Sequence, residues 1–174
     1  QSLWSAAYRD LRTEHYIDYT PGGSVSAVVS YGTYVTSRES MKAMAAALEA
    51  RGLRVVGGIN AGFFNTNNGT PIGLVITDGL LQSANPNYYA VGFKADGTAL
   101  MGQPTITLTA SWTTRETTVL DETTGLETVV PPEDKIITLS GFNKVRADGG
   151  YYLYSDTFAA TTKNNVSGVD VVLR

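Results

Sequence analysis

SVSAVVSY at residues 24–31, SRESMKAMAAALEAR at 37–51 and LRVVGGINA at 53–61 follow one another along the chain. Their order decides the fold class. The first segment is β-branched and apolar and follows the turn signal Pro21-Gly22-Gly23, which reads as a strand. In the second, Met41, Met44, Ala45 and Leu48 recur at helical spacing and make one apolar stripe. Thr36 and Glu39 stand at capping-box spacing before it. Gly52 follows it, where a left-handed residue closes the last turn. The third segment is a buried strand by composition. Strand, helix and strand in this order predict a βαβ unit whose right-handed crossover sets the two strands parallel.

Outward from this unit the texture is β. Upstream, HYIDY at 15–19 alternates and suits an edge strand. Downstream come short strands with hairpin punctuation: Asp78-Gly79 after GLVIT, and Asp96-Gly97 between GFK and TALMG. TITLTASW at 105–112 alternates as a half-exposed strand, and 116–130 reads as a polar hairpin turning near 121–125. Residues 136–139, 150–154 and 168–173 complete the strand set. The expectation is an α+β fold, a mixed and mostly antiparallel sheet around one βαβ unit with a single main helix, forming one domain over 1–174.

Composition narrows the chemistry. The 174 residues hold no cysteine and one histidine, His15. Thiol catalysis, iron–sulfur clusters and Cys- or multi-His metal centres are excluded, and no cofactor or metal is expected. A serine triad would have to pass through His15, which sits in an alternating segment and reads as a packed or hydrogen-bonded residue. A net charge of −3 argues against nucleic acid as a partner, and no apolar run approaches the roughly 20 residues of a membrane span. Ten tyrosines against five phenylalanines suit half-buried strands with wet polar tips. Low charge with abundant Thr, Ser, Asn and Gly is the composition common in secreted bacterial carbohydrate-handling proteins.

The loop after the βαβ unit holds the most unusual string, Asn60-Ala61-Gly62-Phe63-Phe64-Asn65. Ligands of parallel sheets bind beyond the carboxyl ends of strands, which is where this string falls. Gly62 allows close backbone approach, Asn60 and Asn65 offer paired amide donors and acceptors, and the Phe63 and Phe64 rings can stack on a sugar face. The structural alternative is a packed turn, with Phe63 in the core and Asn60 bonded to backbone. Arg146 is a cation near a turn, suited to a two-pronged contact with a phosphodiester or to a surface ion pair. Asp78 and Asp96 each precede Gly and read as turn residues.

The strings NAGFFN at 60–65, GTPIGLVITDG at 69–79 and VGFKADG at 91–97, with Phe142-Asn143-Lys144-Val145-Arg146 downstream, resemble the phosphodiester glycosidase family. The resemblance covers most of the chain in the right order. It departs at Ala61, where the family carries glycine. The family's later signatures, a Pro-Arg-Thr-Ala-like strand, an Asp-Gly-Arg segment and an Asp-Gly-Gly-Gly-Ser loop, have no counterpart. Asp148-Gly149-Gly150 echoes the last of them but reads as a turn.

What the resemblance implies is part of a secreted or cell-surface bacterial glycosidase that hydrolyses a sugar-1-phosphodiester bearing an N-acetylglucosamine-like sugar. Asn60, Gly62, Phe63, Phe64, Asn65 and Gly73 would contact the sugar and Arg146 the phosphate. No carboxylate pair is assignable to acid and base roles. A non-catalytic carbohydrate or cell-wall binding module is the competing reading. The start at Gln1 and an end inside a strand-like run lead to the expectation of a piece of a longer protein, inactive on its own. Segment 169–173 or 53–61 would then present an unpaired edge or apolar face, either covered by a second copy in a homodimer or left as a large apolar patch.

Overall fold

Turn chemistry organises the β structure. The computed structural model describes residues 2–5, 10–20, 22–84, 88–163 and 166–173. Strands β1 (Ser2–Ser5) and β2 (Asp10–Thr13) form one antiparallel pair. After helix α1 (Met41–Ala50), β3 (Val75–Thr77) and β4 (Leu80–Ser83) pair antiparallel through the two-residue turn Asp78-Gly79. Both turn residues have positive φ, 51° and 75°, as a type I′ hairpin requires. Strands β5 (Ala90–Phe93) and β6 (Ala99–Gly102) pair around Asp96-Gly97. That loop is longer than two residues: Gly97 N–H bonds Lys94 O and Lys94 N–H bonds Thr98 O, while Asp96 Oδ1 accepts from Thr98.

Strand β7 (Thr109–Thr113) pairs antiparallel with β10 (Asp134–Thr138). Between them lies the expected polar hairpin, β8 (Thr117–Leu120) with β9 (Glu127–Val130). Its turn is closed by Gly125 at positive φ and by Asp121 Oδ1, which accepts from the N–H groups of Thr123 and Thr124. Strands β11 (Gly141–Phe142) and β12 (Tyr152–Leu153) are parallel. Among the described residues the fold is thus one helix with mostly antiparallel pairs, each a separate two-stranded sheet.

The βαβ unit is not seen among the described residues: neither 24–31 nor 53–61 forms a ladder. Single side-chain bonds hold the first segment, from Thr77 Oγ1 to Val29 O at 2.6 Å and from Tyr31 to Gln82 Oε1 at 3.1 Å. Strand-like composition marks a segment that fits a sheet, but a ladder needs two backbones in register, and the first segment meets β3 and β4 through side chains instead. Residues 15–19 and 168–173 likewise form no ladder.

Helix α1 is shorter than the 37–51 expected. Ser40, not Thr36, is its N-cap, accepting from Ala43 N–H at 3.2 Å. Thr36 is buried and its hydroxyl donates to Phe158 O at 2.9 Å. Glu39 instead accepts from Thr33 N–H, a bond that lowers its pKa. Tertiary partners have taken both members of the capping box. The C-terminus matches expectation: Gly52 has φ 89° and its N–H bonds Glu49 O at 2.9 Å.

The buried centre is small and largely polar. Val35, Ala84 and Phe158 supply its apolar part; Gln82, Ser83, Asn143 and Thr36 surround them. The chain exposes 13,583 Å², against roughly 8,200 Å² for a compact monomer of 18.6 kDa. Val56, Ile59, Val169, Val171, Val172 and Leu173 are among the large apolar residues left in solvent.

Candidate functional site

The 63–73 loop is built from its own backbone outward. Phe64 and Pro71 form an isolated antiparallel bridge, flanked by Ile72 N–H to Phe63 O at 2.9 Å and Asn65 N–H to Thr70 O at 2.8 Å. Within the loop, Asn65 Oδ1 accepts from Asn67 N–H and Asn68 Oδ1 from Thr70 N–H. These Asx turns are local devices that Asn supplies readily. Gly69 closes the loop at φ 80°, and a Cβ there would lie 1.9 Å from Thr36 O. Only glycine satisfies both demands.

Three cations clamp this loop through its carbonyls. Arg38 Nη1 donates to Thr66 O at 2.7 Å and Lys163 Nζ to Asn68 O at 3.0 Å. Lys144 Nζ donates to Pro71 O, to Gly73 O at 3.1 Å and to Ile72 O at 3.4 Å. Three donors meet three carbonyls, so the ammonium is satisfied without a carboxylate. Burial nonetheless pushes the Lys144 pKa down to about 8, because removal from water disfavours the charged form.

Lys144 is aimed by its neighbour. Asn143 is fully buried with φ 52°. Its Nδ2 donates to Gln82 O at 2.7 Å and Ser155 Oγ at 2.8 Å, while its Oδ1 accepts from Ser155 N–H at 2.9 Å. Gln82 is the extra residue of a bulge in the β3–β4 ladder, where Val75 pairs Ser83 and Ile76 pairs Leu81. The bulge turns its carbonyl out of the ladder and onto Asn143. β4 also meets β11 through the Ala84–Phe142 bridge.

No family model, curated protein or solved structure matches this chain. The site therefore rests on its geometry. Of the residues singled out in the sequence, Phe63 is 85% exposed and Phe64 45%, so neither ring packs as a core residue. Asn60 and Gly62 are exposed, and nothing lies within 4 Å of a Cβ at Gly62. Asn65 spends its side-chain oxygen on the loop. Gly73 contributes its carbonyl to Lys144 and approaches Tyr88. Because 53–61 is not a strand, the loop does not stand at a strand's carboxyl end.

Arg146 is placed elsewhere. Its Nη2 donates to Val166 O at 2.5 Å and its Nη1 lies 3.6 Å from Asp170 Oδ1. Gly168 packs on the guanidinium so closely that a Cβ would meet Nη1 at 2.3 Å. The side chain is enclosed by 166–170, and the cations that reach the loop are Arg38, Lys144 and Lys163. Sequence reading assigned these three no role. Their acceptors are backbone carbonyls, which every residue carries, so no spacing advertises the contact.

Proposed function

We propose that the chain is the sugar-binding part of a secreted or cell-surface bacterial glycosidase acting on a sugar-1-phosphodiester. The observation that carries this reading is the Phe63 ring, 85% exposed on the stem of a loop whose backbone is fixed by its own hydrogen bonds and three cations. An aromatic face carried into water on a fixed backbone offers stacking area, which suits the apolar face of a pyranose. Asn60, exposed at the other end of the same string, brings an amide for the sugar's hydroxyls. Titrating N-acetylglucosamine 1-phosphate into the purified chain and its Phe63→Ala variant tests this. Affinity is expected to fall at least tenfold while the melting temperature holds; equal affinity refutes the sugar platform.

The alternative is a non-catalytic carbohydrate or cell-wall module. Release of sugar from a synthetic sugar-1-phosphodiester decides between them: binding without turnover supports the module.

The same proposal has the exposed apolar segments covered by a second copy, with 24–31 and 53–61 completed as strands of a βαβ unit. The surface in excess of a compact monomer is larger than the 1,200–2,000 Å² that stable interfaces bury. Sedimentation equilibrium is expected to return a dimer, and a monomer at high micromolar concentration refutes it.

A further inference from the structure

We propose that a groove of about 470 Å³ lined by Tyr34, Thr36, Ser37, Arg38, Thr161 and Lys163 binds a phosphate oxyanion. No carboxylate lines it among the described residues, and neither cation takes part in an ion pair there. Arg38 uses one of its guanidinium donors on Thr66 O, and Lys163 uses one ammonium donor on Asn68 O. Most of the five guanidinium N–H groups and two of the three ammonium N–H groups remain for a ligand. Charge-assisted bonds to phosphate are roughly twice as strong as neutral ones, and a guanidinium grips two oxygens at once. Ser37 and Thr161 add hydroxyls on the same walls.

Two further features fit a built site. Lys163 holds a left-handed backbone, φ 53°, that residues other than glycine rarely adopt. Its N–H bonds Thr161 Oγ1 at 3.3 Å and its ammonium bonds Asn68 O, so the strained residue is fixed from both ends. The groove also adjoins the loop that carries Phe63. Arg38 bonds Thr66, three residues on from Phe63, which is at most about 11 Å of chain. The phosphate role expected for Arg146 passes to Arg38 and Lys163, since Val166, Gly168 and Asp170 already enclose the Arg146 guanidinium. The identity of the anion as a sugar phosphate rests on the proposed function; the oxyanion site does not.

The test is an amide-resonance titration of the purified chain with inorganic phosphate and, separately, N-acetylglucosamine 1-phosphate, at low and high salt. Phosphate is expected to shift Ser37, Arg38, Thr161 and Lys163 and to weaken as salt screens the contact. Arg38→Gln and Lys163→Gln are each expected to lower affinity at least tenfold. Since Arg38→Gln also releases Thr66, the shift map of the unsubstituted chain is the readout independent of folding. Tighter binding of the sugar phosphate than of phosphate, with the same shifts, supports both the groove and the sugar reading. Equal affinity for the two supports the groove and overturns the sugar reading. Sugar-phosphate shifts that avoid the groove and survive both substitutions overturn the groove and leave the sugar reading standing. No binding of either ligand overturns both.

Discussion

Replacing Asn143 removes a fully buried amide that bonds Gln82, Ser155 and Thr157. In Asn143→Ala, Gln82 O loses its amide partner in a buried setting and Ser155 N–H in a half-buried one. Each such orphaned group costs about 1–3 kcal/mol. Alanine must also hold φ 52°, a left-handed conformation that asparagine tolerates and alanine does not, for about 1 kcal/mol more. The sum is roughly 3–7 kcal/mol, comparable to the whole stability of many domains. Asn143→Gly separates the terms, because glycine loses the amide but keeps the backbone angle. Urea unfolding followed by tyrosine and tryptophan fluorescence is the assay. Asn143→Ala is expected to be largely unfolded or to lose at least about 3 kcal/mol, with Asn143→Gly less affected by about 1 kcal/mol. A loss below about 1 kcal/mol for alanine would show that the network is not the keystone of the β4–β11 junction.

Gly69→Ala meets both a positive φ and the Thr36 carbonyl, so it is expected to cost at least about 2 kcal/mol, while Gly62→Ala stays within about 0.5 kcal/mol; thermal melts of the two variants check the contrast. Lys144 titrates at about 8 when folded and near 10.4 when unfolded, so between those values the unfolded chain binds more protons and stability rises with pH. Below pH 8 both states are charged and the burial cost is present in full. Urea midpoints between pH 8 and 10 are expected to climb relative to Lys144→Met, and parallel curves would refute the buried ammonium. Tyr154, whose pKa burial raises, opposes the trend only as tyrosine begins to ionise near 10. Gly79→Ala, forced to φ 75° in the β3–β4 turn, is expected to lose about 1 kcal/mol by the same melt.

Local chemistry was legible in the sequence. Asp78-Gly79 made its hairpin, Asp121 and Gly125 closed theirs, and Gly52 ended α1, because each depends on backbone preferences of residues beside one another. Asp96-Gly97 marked a hairpin but not its loop length, which Thr98 sets by bonding Asp96. The aromatic pair Phe63 and Phe64 was legible as a string, and its exposure was one of the two readings the sequence left open. Everything that joins the pieces came from tertiary structure. Thr36 and Glu39 carried a sound capping signal, yet Phe158 and Thr33 claimed them and the helix began later, at Met41. Segments 24–31 and 53–61 had strand composition, yet neither backbone came into ladder register with another strand among the described residues. The bulge at Gln82, the buried Asn143 and the clamp of Arg38, Lys144 and Lys163 on the 66–73 carbonyls join residues 28 to 95 positions apart. A turn is specified by the residues that form it. A cation seeking a backbone carbonyl finds the same acceptor at every position, and only the folded chain decides which one it meets.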